Sequence, residues 1–508
     1  MAFETTESAT SSSQSRQLSR VSSNSRAEPV LMAEASSRVV EAKWFIDCTL
    51  LKECAAENLH GFAKLYPEQF GDGPVAKMPK TQLSWGSACS GCEGALYVAH
   101  AINASFAGAK WPVRLQHRFS CESCRDKQKW VHVVSASHRC ADADELFADL
   151  FGADDEDDDE SHHTCIFADI QNLGNETAHC VVHNRECPVP QVDVFMCGVS
   201  CKDVSRQNPG RDMSKHVIAE GHSRGGTAQT WQGFASYVSI KQPGIVVFEN
   251  VDGLDDNVGQ TAQSNMDVVV QTMKGFGYEA QPMMTDAHEF GCPSKRRRPA
   301  ANWVEQHLKA SETLGVRWGQ PAGRELESSP WFRTLTDREK DALVLSRSHA
   351  PQAGFRNLSQ SLNRIHTMTL AEGCTKHVAP TMLPGQILFV ELVRPPRLLL
   401  GREALILQGF PVETFLRDMD VAGYNACDDP FPNLAGDSAK KRKKRMNDKP
   451  WLTEALMMDL AGNSFSFPVL LAVWQSAVCA VDYRAATETV KVADVEEAMD
   501  ALAFLVSL

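Results

Sequence analysis

The chain has 508 residues, 43% hydrophobic and 23% charged, an ordinary globular composition with room for two or three domains, or for one large domain with a smaller one inserted. Its net charge of -13 argues against a uniformly basic nucleic-acid binder, but residues 142–160 alone carry 11 acids and no Lys or Arg, so a basic groove elsewhere is not excluded. The 16 cysteines lack the regular spacing of a secreted disulfide scaffold, which points to a reduced intracellular compartment, and no apolar run nears the roughly 20 residues needed to cross a bilayer.

Residues 1–38 are polar and Ser-rich and are expected to be disordered. They lack the apolar core of a secretory signal. Arg16, Arg20 and Arg26 hint at an organelle transit peptide, but Glu4, Glu7 and Glu28 argue against one. Over 39–80, Trp44, Phe45, Leu50, Leu51, Phe62 and Leu65 fall at helical spacing and predict an N-terminal helical segment, read as a pair of helices. From residue 81 short apolar or β-branched runs alternate with helix-compatible stretches. LSWGSACSG, RLQHRFSCE, TCIFADI, VDVFMCG and GIVVFENV are the clearest strands. This alternation predicts an α/β fold with a mostly parallel sheet and helices on both faces. Ligands in such sheets bind beyond the carboxyl ends of the strands, where Ser90, Glu122, Asp169, Cys201 and Glu249 fall.

The alternation stops near residue 299. Residues 300–390, with Gly, Pro and Ser interspersed, read as a separate small lobe between two parts of the main domain, 81–299 and 391–482. Within the second part, GREALILQGFP predicts a helix, and the run KKRKKR beginning at Lys440 reads as a basic insert. Residues from LAGNSFSFPVLLAVW are expected to pack beside the first strand, and 483–508 end the chain with an amphipathic helix.

Two strand ends and a third element carry chemistry. VDVFMCGVSCKDVS places a turn at Gly198 and then Cys201 in a loop running on to Gly226. A cysteine used as a nucleophile acts as its thiolate; the alternative is a buried structural thiol. GIVVFENV delivers Glu249 and Asn250 where a carboxyl can protonate a heteroaromatic ring while a thiolate adds to it. HEFGCPSKRRRPA brings Arg296, Arg297 and Arg298 after a Gly and a Pro, either as a solvated basic turn or as a clamp for phosphate and base.

GVSCKDVS resembles the active-site loop of the cytosine-5 DNA methyltransferase family, GPPCQxFS; FENV resembles its ENV element, and GCPSKRRR its GVPQxRxR element, with Arg296 and Arg298 on the two family arginines. ACSGCEGA is similar to the first-strand glycine loop FxGxGG. RFSCESCRDKQ and FADI resemble the elements that meet the cofactor ribose and adenine. RPPRLLLGREALILQGFP and AGNSFSFPV resemble the two closing elements. Eight elements in family order span roughly residues 82–475.

The resemblance implies a Rossmann-like methyltransferase domain with 300–390 as target-recognition lobe. It implies a flipped cytosine in duplex DNA as substrate and S-adenosylmethionine as cofactor. Cys201, Glu249, Arg296 and Arg298 then form the catalytic set. Ser90, Gly91, Cys92, Gly94, Glu122 and Asp169 form the cofactor pocket, with Asn463 near it. One branch of the family methylates tRNA, usually with a Thr where this chain has Ser205. A non-catalytic relative that binds nucleic acid or a partner methyltransferase is the other reading.

Several residues depart from the family pattern. Val199 and Ser200 replace two prolines, which predicts a less rigid loop. Lys202 and Ser294 replace glutamines, and Glu93 replaces a glycine. Lys202 would favour the Cys201 thiolate if it points inward. In AHCVVHNREC, His179, Cys180, His183 and Cys187 look like metal ligands with Cys165 as a spare, but their spacing departs from the usual zinc patterns. An ordinary loop and no metal are expected there. Cys121 and Cys124 form a CxxC best explained by Glu122 between them. The run at 440–445 reads as a nuclear localisation signal, a phosphate-contacting loop or a solvated insert. The sequence does not fix the oligomeric state.

Overall fold

The computed structural model describes residues 48–65, 80–139, 164–208, 210–220, 222–259, 263–285, 287, 290, 330–351, 353–362, 379–393, 396–421, 423–424 and 451–481. The Ser-rich start, the acidic run, Arg296 and Arg298, the KKRKKR run and the C-terminal helical segment lie outside these residues.

All five strands read from the sequence are present, and they are the parallel ones. They are β1 (Thr81–Ala88), β2 (Val113–Cys121), β3 (Cys165–Phe167), β6 (Val194–Gly198) and β7 (Ile245–Glu249). The sheet order is β5-β4-β3-β2-β1-β6-β7. From β1 the chain first builds outward through β2 and β3, then returns to lay β6 on the other side of β1. The connections thus reverse direction at β1, and a crevice opens at the carboxyl ends of β1 and β6.

Two further strands were not foreseen. AHCVVHNREC, expected as a loop, supplies β4 (Thr177–Cys180) and its antiparallel partner β5 (Arg185–Pro188), which extend the sheet past β3. Both strands are short and polar on their outward positions, so they lack the apolar run that marks the buried strands.

The alternation of side chains along each strand divides the core between the two faces of the sheet. On β6, Val194 and Met196 join one hydrophobic cluster, and Phe195 and Cys197 the other. The first face is covered by α1 (Thr49–Leu65), α2 (Gly94–Gly108) and the C-terminal helices α7 (Gly401–Leu407), α8 (Val412–Val421), α9 (Glu454–Asn463) and α10 (Phe467–Cys479). The second is covered by α4 (Thr227–Lys241) and α5 (Asn265–Gly275). Helix α3 (Arg125–Arg139) sets the buried Trp130 against Phe415 of α8, with ring centroids 4.1 Å apart. Helix α1 uses the stripe Leu51, Ala55, Leu59 and Phe62, all buried at helical spacing. It is the one helix described in the segment read as a helical pair.

The closing element returns to the first strand as expected. Trp474 of α10 meets Trp85 of β1 edge-on at 5.0 Å, and Gln475 Nε2 donates to the Ala55 carbonyl of α1 at 2.8 Å. Phe467 fills the space over Gly94, where a Cβ would lie 2.1 Å from its ring. Each fully buried side chain of this size contributes roughly 1.5–3 kcal/mol. No described helix is long and apolar enough to cross a membrane. The bent pair α9 and α10 approaches that composition, but most of α10 is buried in the core.

After residue 330 a second, antiparallel sheet of three strands forms, β8 (Phe355–Asn357), β9 (Leu388–Val390) and β10 (Arg397–Leu398). Helix α6 (Asp337–His349) packs Leu343 against Leu358 and Phe389 of this lobe. The buried Arg356 joins the same layers, donating to the Ser346 carbonyl at 2.6 Å and to Glu391 at 2.7 Å.

Arg397 on β10 and Glu403 on α7 form a buried bidentate pair at 2.8 and 2.6 Å, and Glu403 also accepts the Leu400 N–H at 2.8 Å. Removing one partner strands a charge away from water. Glu403→Ala should therefore lower unfolding free energy by about 3–5 kcal/mol in a denaturant titration, and a Glu403→Leu, Arg397→Met double variant should recover much of the loss.

Candidate active site

Five parallel strands end at one large cleft of about 2170 Å³. Its wall includes Glu122 after β2, Asp169 after β3, Cys201 after β6 and Glu249 at the end of β7. The register of β6 and β7 sets Gly198 opposite Glu249. The Glu249 carboxylate lies where a Cβ added to Gly198 would be only 3.6 Å from it, so it sits beside the start of the Cys201 loop.

This loop is held from several sides. Asn250, directly after Glu249, donates from Nδ2 to the Val199 carbonyl at 2.9 Å and accepts the Val251 N–H at 3.0 Å. Ser200 donates its N–H to Thr230 Oγ1 at 3.1 Å and its hydroxyl to the Gly225 carbonyl at 3.0 Å. A proline at 200 would have no N–H to give. In the loop that the missing prolines were expected to leave less rigid, hydrogen bonds run to Thr230 of α4 and to the Gly-rich turn at Gly225.

Asp203 anchors the other side. It accepts from Ser223 Oγ at 2.6 Å, Gly225 N–H at 2.7 Å and Thr227 N–H at 3.1 Å. Burial works against its charge, but these donors hold its carboxyl below the usual range. Gly225 must be glycine, because a Cβ there would lie 2.6 Å from Lys202 Cβ and 2.7 Å from Asp203 Oδ1. Farther along, Arg206 and Arg211 both pair with Asp256, and those hydrogen bonds hold its carboxyl down at about 2.

Cys201 is half-buried, and burial followed by the nearby Glu249 pushes its thiol above its ordinary value. Lys202 pulls the other way with a smaller effect, and its own side chain is exposed. Glu249 reaches the water of the cleft, but the walls crowd it on the remaining sides. This partial loss of hydration pushes its carboxyl up to about 7. At neutral pH the pair therefore holds a thiol and a carboxyl that is protonated in a large fraction of molecules.

Beyond β1, the loop ACSGCEGA takes a left-handed backbone at Cys89, Gly91 and Glu93 (φ 54°, 54° and 53°). The Gly91 N–H donates to Glu122 Oε2 at 3.0 Å, and the Cys124 N–H to Oε1 at 2.8 Å. Each carboxylate oxygen keeps a second lone pair for a ligand hydroxyl. Glu93, which stands where the family has a glycine, adopts the same left-handed conformation that a glycine would favour. Its buried carboxyl accepts from Ser87 Oγ at 3.0 Å, and burial pushes it up to about 7.

Not every residue expected in the cofactor pocket lies on its wall. Gly91, Glu122, Asp169 and Asn463 do. Ser90, Cys92 and Gly94 stand behind it. Ser90 is buried and bonded to Ser87 at 2.7 Å, and Cys92 packs in the core with its carbonyl accepting Trp130 Nε1 at 2.9 Å. They shape the loop from within. Asp169 is exposed and caps a short 3-10 turn by accepting the Gln171 N–H at 3.0 Å. Asn463 is exposed at the end of α9, donating to the Asp459 carbonyl at 2.7 Å. Asn250 as a clamp, Asp203 as an anchor and Lys127 on the cleft wall were not singled out from the sequence for these roles. Asp203 carries no local signal, since its partners lie 20 to 24 residues away.

The ordered elements and this geometry agree with comparison to known proteins. Residues 160–422 match the model of the C-5 cytosine-specific DNA methylase family. The chain belongs to that family. It is 27% identical over 206 residues to DNA (cytosine-5-)-methyltransferase DMT5 of Cryptococcus neoformans var. grubii, an alignment covering 39% of this chain and 8% of that far longer relative.

Asp203→Ala would leave the Gly225 and Thr227 amides without their charged acceptor. A charge-assisted hydrogen bond contributes about 1.5–3 kcal/mol, so hydrogen exchange at these two amides should accelerate roughly tenfold or more, while exchange in β1 and β6 stays unchanged.

Proposed function

We propose that the chain is an S-adenosylmethionine-dependent DNA (cytosine-5)-methyltransferase that attacks a cytosine turned out of its duplex. One observation carries the reading. Cys201 and Glu249, at the ends of adjacent strands in register, share a single cleft with Glu122 and Asp169. A stacked base hides the face that a thiolate must approach, so the cytosine must leave the helix first.

The residues fit the cofactor. Glu122 offers two acceptor oxygens for a ribose diol, and Asp169 an acceptor for the adenine amino group. Gly91 lets the backbone approach closely, and Asn463 borders the same space. S-adenosylmethionine, bound there, supplies the methyl group that carbon 5 of the cytosine receives.

The chain's own residues do the rest. Cys201, as thiolate, adds to carbon 6 of the ring. Glu249, protonated, donates to ring nitrogen 3, so the electron pair released by the addition is driven to carbon 5. After carbon 5 is methylated, water in the cleft takes its proton. The freed electron pair forms the carbon 5–carbon 6 double bond as the carbon–sulfur bond breaks and the thiolate departs, and nitrogen 3 returns its proton to Glu249. Asn250 holds the Val199 carbonyl and so fixes where Cys201 starts. Arg296 and Arg298 are assigned to the clamp on base and phosphate. Residues 300–390, whose described part includes α6 and most of the small antiparallel sheet, are assigned to reading the target sequence.

Methyl transfer from labelled cofactor should reach duplex DNA. Cys201→Ala should lower it at least about 10³-fold, and Glu249→Gln by about 10²–10⁴-fold. Transfer to tRNA in preference to duplex would move the substrate to RNA. Cofactor binding without transfer to unmethylated duplex, hemimethylated duplex or tRNA would contradict an enzyme.

The pH dependence follows from the two shifted groups. The productive form holds a thiolate and a protonated Glu249, one proton fewer than the fully protonated pair. Measured kcat/KM should therefore rise with pH through about 7, where Glu249 titrates, level off, and fall above the raised thiol value. Glu249→Gln should abolish the limb near 7.

A further inference from the structure

At the outer edge of the sheet, Cys165 opens β3, Cys180 closes β4, His183 lies in the turn and Cys187 sits in β5. One ligand atom from each of the four lies within 4.8 Å of all the others. His183 Nδ1 is 3.5 Å from Cys165 Sγ and 3.4 Å from both Cys180 Sγ and Cys187 Sγ. A ring nitrogen has one in-plane lone pair or one hydrogen, so it cannot form good hydrogen bonds with three sulfurs at once. A tetrahedral ion accounts for the arrangement. With zinc–sulfur bonds of about 2.3 Å and zinc–nitrogen bonds of about 2.0–2.1 Å, the sulfur–nitrogen edge of a tetrahedron is about 3.6 Å.

We propose that Cys165, Cys180, His183 and Cys187 hold a structural zinc ion. The spacing of His179, Cys180, His183 and Cys187 departs from the usual zinc patterns, and one ligand of the set, Cys165, comes instead from β3, fifteen residues before Cys180. His179 is not part of the set. Three thiolates and an imidazole are the donor set that zinc takes in closed sites, with no position left for water. Binding releases three thiol protons and leaves the ion and its ligands with a net charge of -1. Cys180 and Cys187 are buried, and Cys165 and His183 are half-buried, so the ion would be shielded but reachable from solvent.

The ion has a mechanical role. β3 and β4 share a single register pair, Phe167 with Cys180, flanked by Val181 N–H to the Ile166 carbonyl at 2.8 Å and Ala168 N–H to the His179 carbonyl at 3.2 Å. So short a ladder anchors an edge hairpin weakly. A metal joining both strands to β3 would hold the hairpin in place, and with it the end of β3, from which Asp169 faces the cleft.

The full chain, purified without chelator, should contain one zinc per molecule by elemental mass spectrometry. Its X-ray absorption should fit three sulfurs at about 2.3 Å and one nitrogen at about 2.0–2.1 Å. Exchange with cobalt(II) should give intense visible bands and thiolate charge transfer. Cys187→Ala should lose the metal, while Cys54→Ala on α1 keeps it. Should Cys187→Ala prove insoluble, the absorption fit and cobalt spectrum of the unaltered chain decide the matter. Four results would overturn the proposal: a zinc-free protein whose three thiols alkylate as freely as exposed Cys124, a disulfide among them, zinc retained in Cys187→Ala, or an oxygen-dominated coordination shell.

Discussion

The parallel pairing of β6 with β7 is the constraint on which the remaining chemistry hangs. Because Gly198 lies opposite Glu249 in that ladder, the chain leaves one strand toward Cys201 and the other at Glu249 and Asn250, at the same level above the sheet. A register slip of one residue would turn Glu249 to the opposite face. The alternation of Val194, Phe195, Met196 and Cys197 between the two core layers prevents it, since any slip would also exchange the apolar contacts of both faces. Site geometry and core packing are thus fixed by the same ladder.

The electrostatics of the cleft follow from this placement. Loss of hydration disfavours the charged form of both groups, and the nearby Glu249 further disfavours the Cys201 thiolate. Neither group is therefore in its reactive form in every molecule at rest, and the Glu249 proton is available to a base bound in the cleft. The loop around Cys201 has no proline stiffness, yet it is tied down through Ser200, Asp203 and Asn250. A positioned thiol is worth more here than a permanently ionised one, because the charge need exist only as the carbon–sulfur bond forms.

The sequence disclosed the parts of the fold that are written locally. Five buried strands stood out as short apolar runs, and all five are in the parallel sheet. Cys201, Glu249, Glu122 and Asp169 were legible from their motifs and meet at one cleft. Long-range effects were not legible. The β4–β5 hairpin lacks an apolar run, and Cys165 joins its sulfurs only after β3 pairs with β4. Ser200 read as a loss of rigidity because its two partners, Gly225 and Thr230, lie 25 and 30 residues away. Cys92 matched a pocket motif by position, but the left-handed turns at Gly91 and Glu93 carry it into the core.

The central claim is that the sulfur of residue 201 bonds to a cytosine ring, and trapping tests it most directly. In a duplex carrying 5-fluorocytosine, the carbon–fluorine bond replaces the hydrogen that must leave, so elimination of the thiolate is blocked after methylation. With S-adenosylmethionine present, the chain should form a denaturant-resistant complex with this duplex, and peptide mapping should find the methylated base on Cys201. A folded, cofactor-bound chain that forms no such adduct on duplex or single strand would contradict the account.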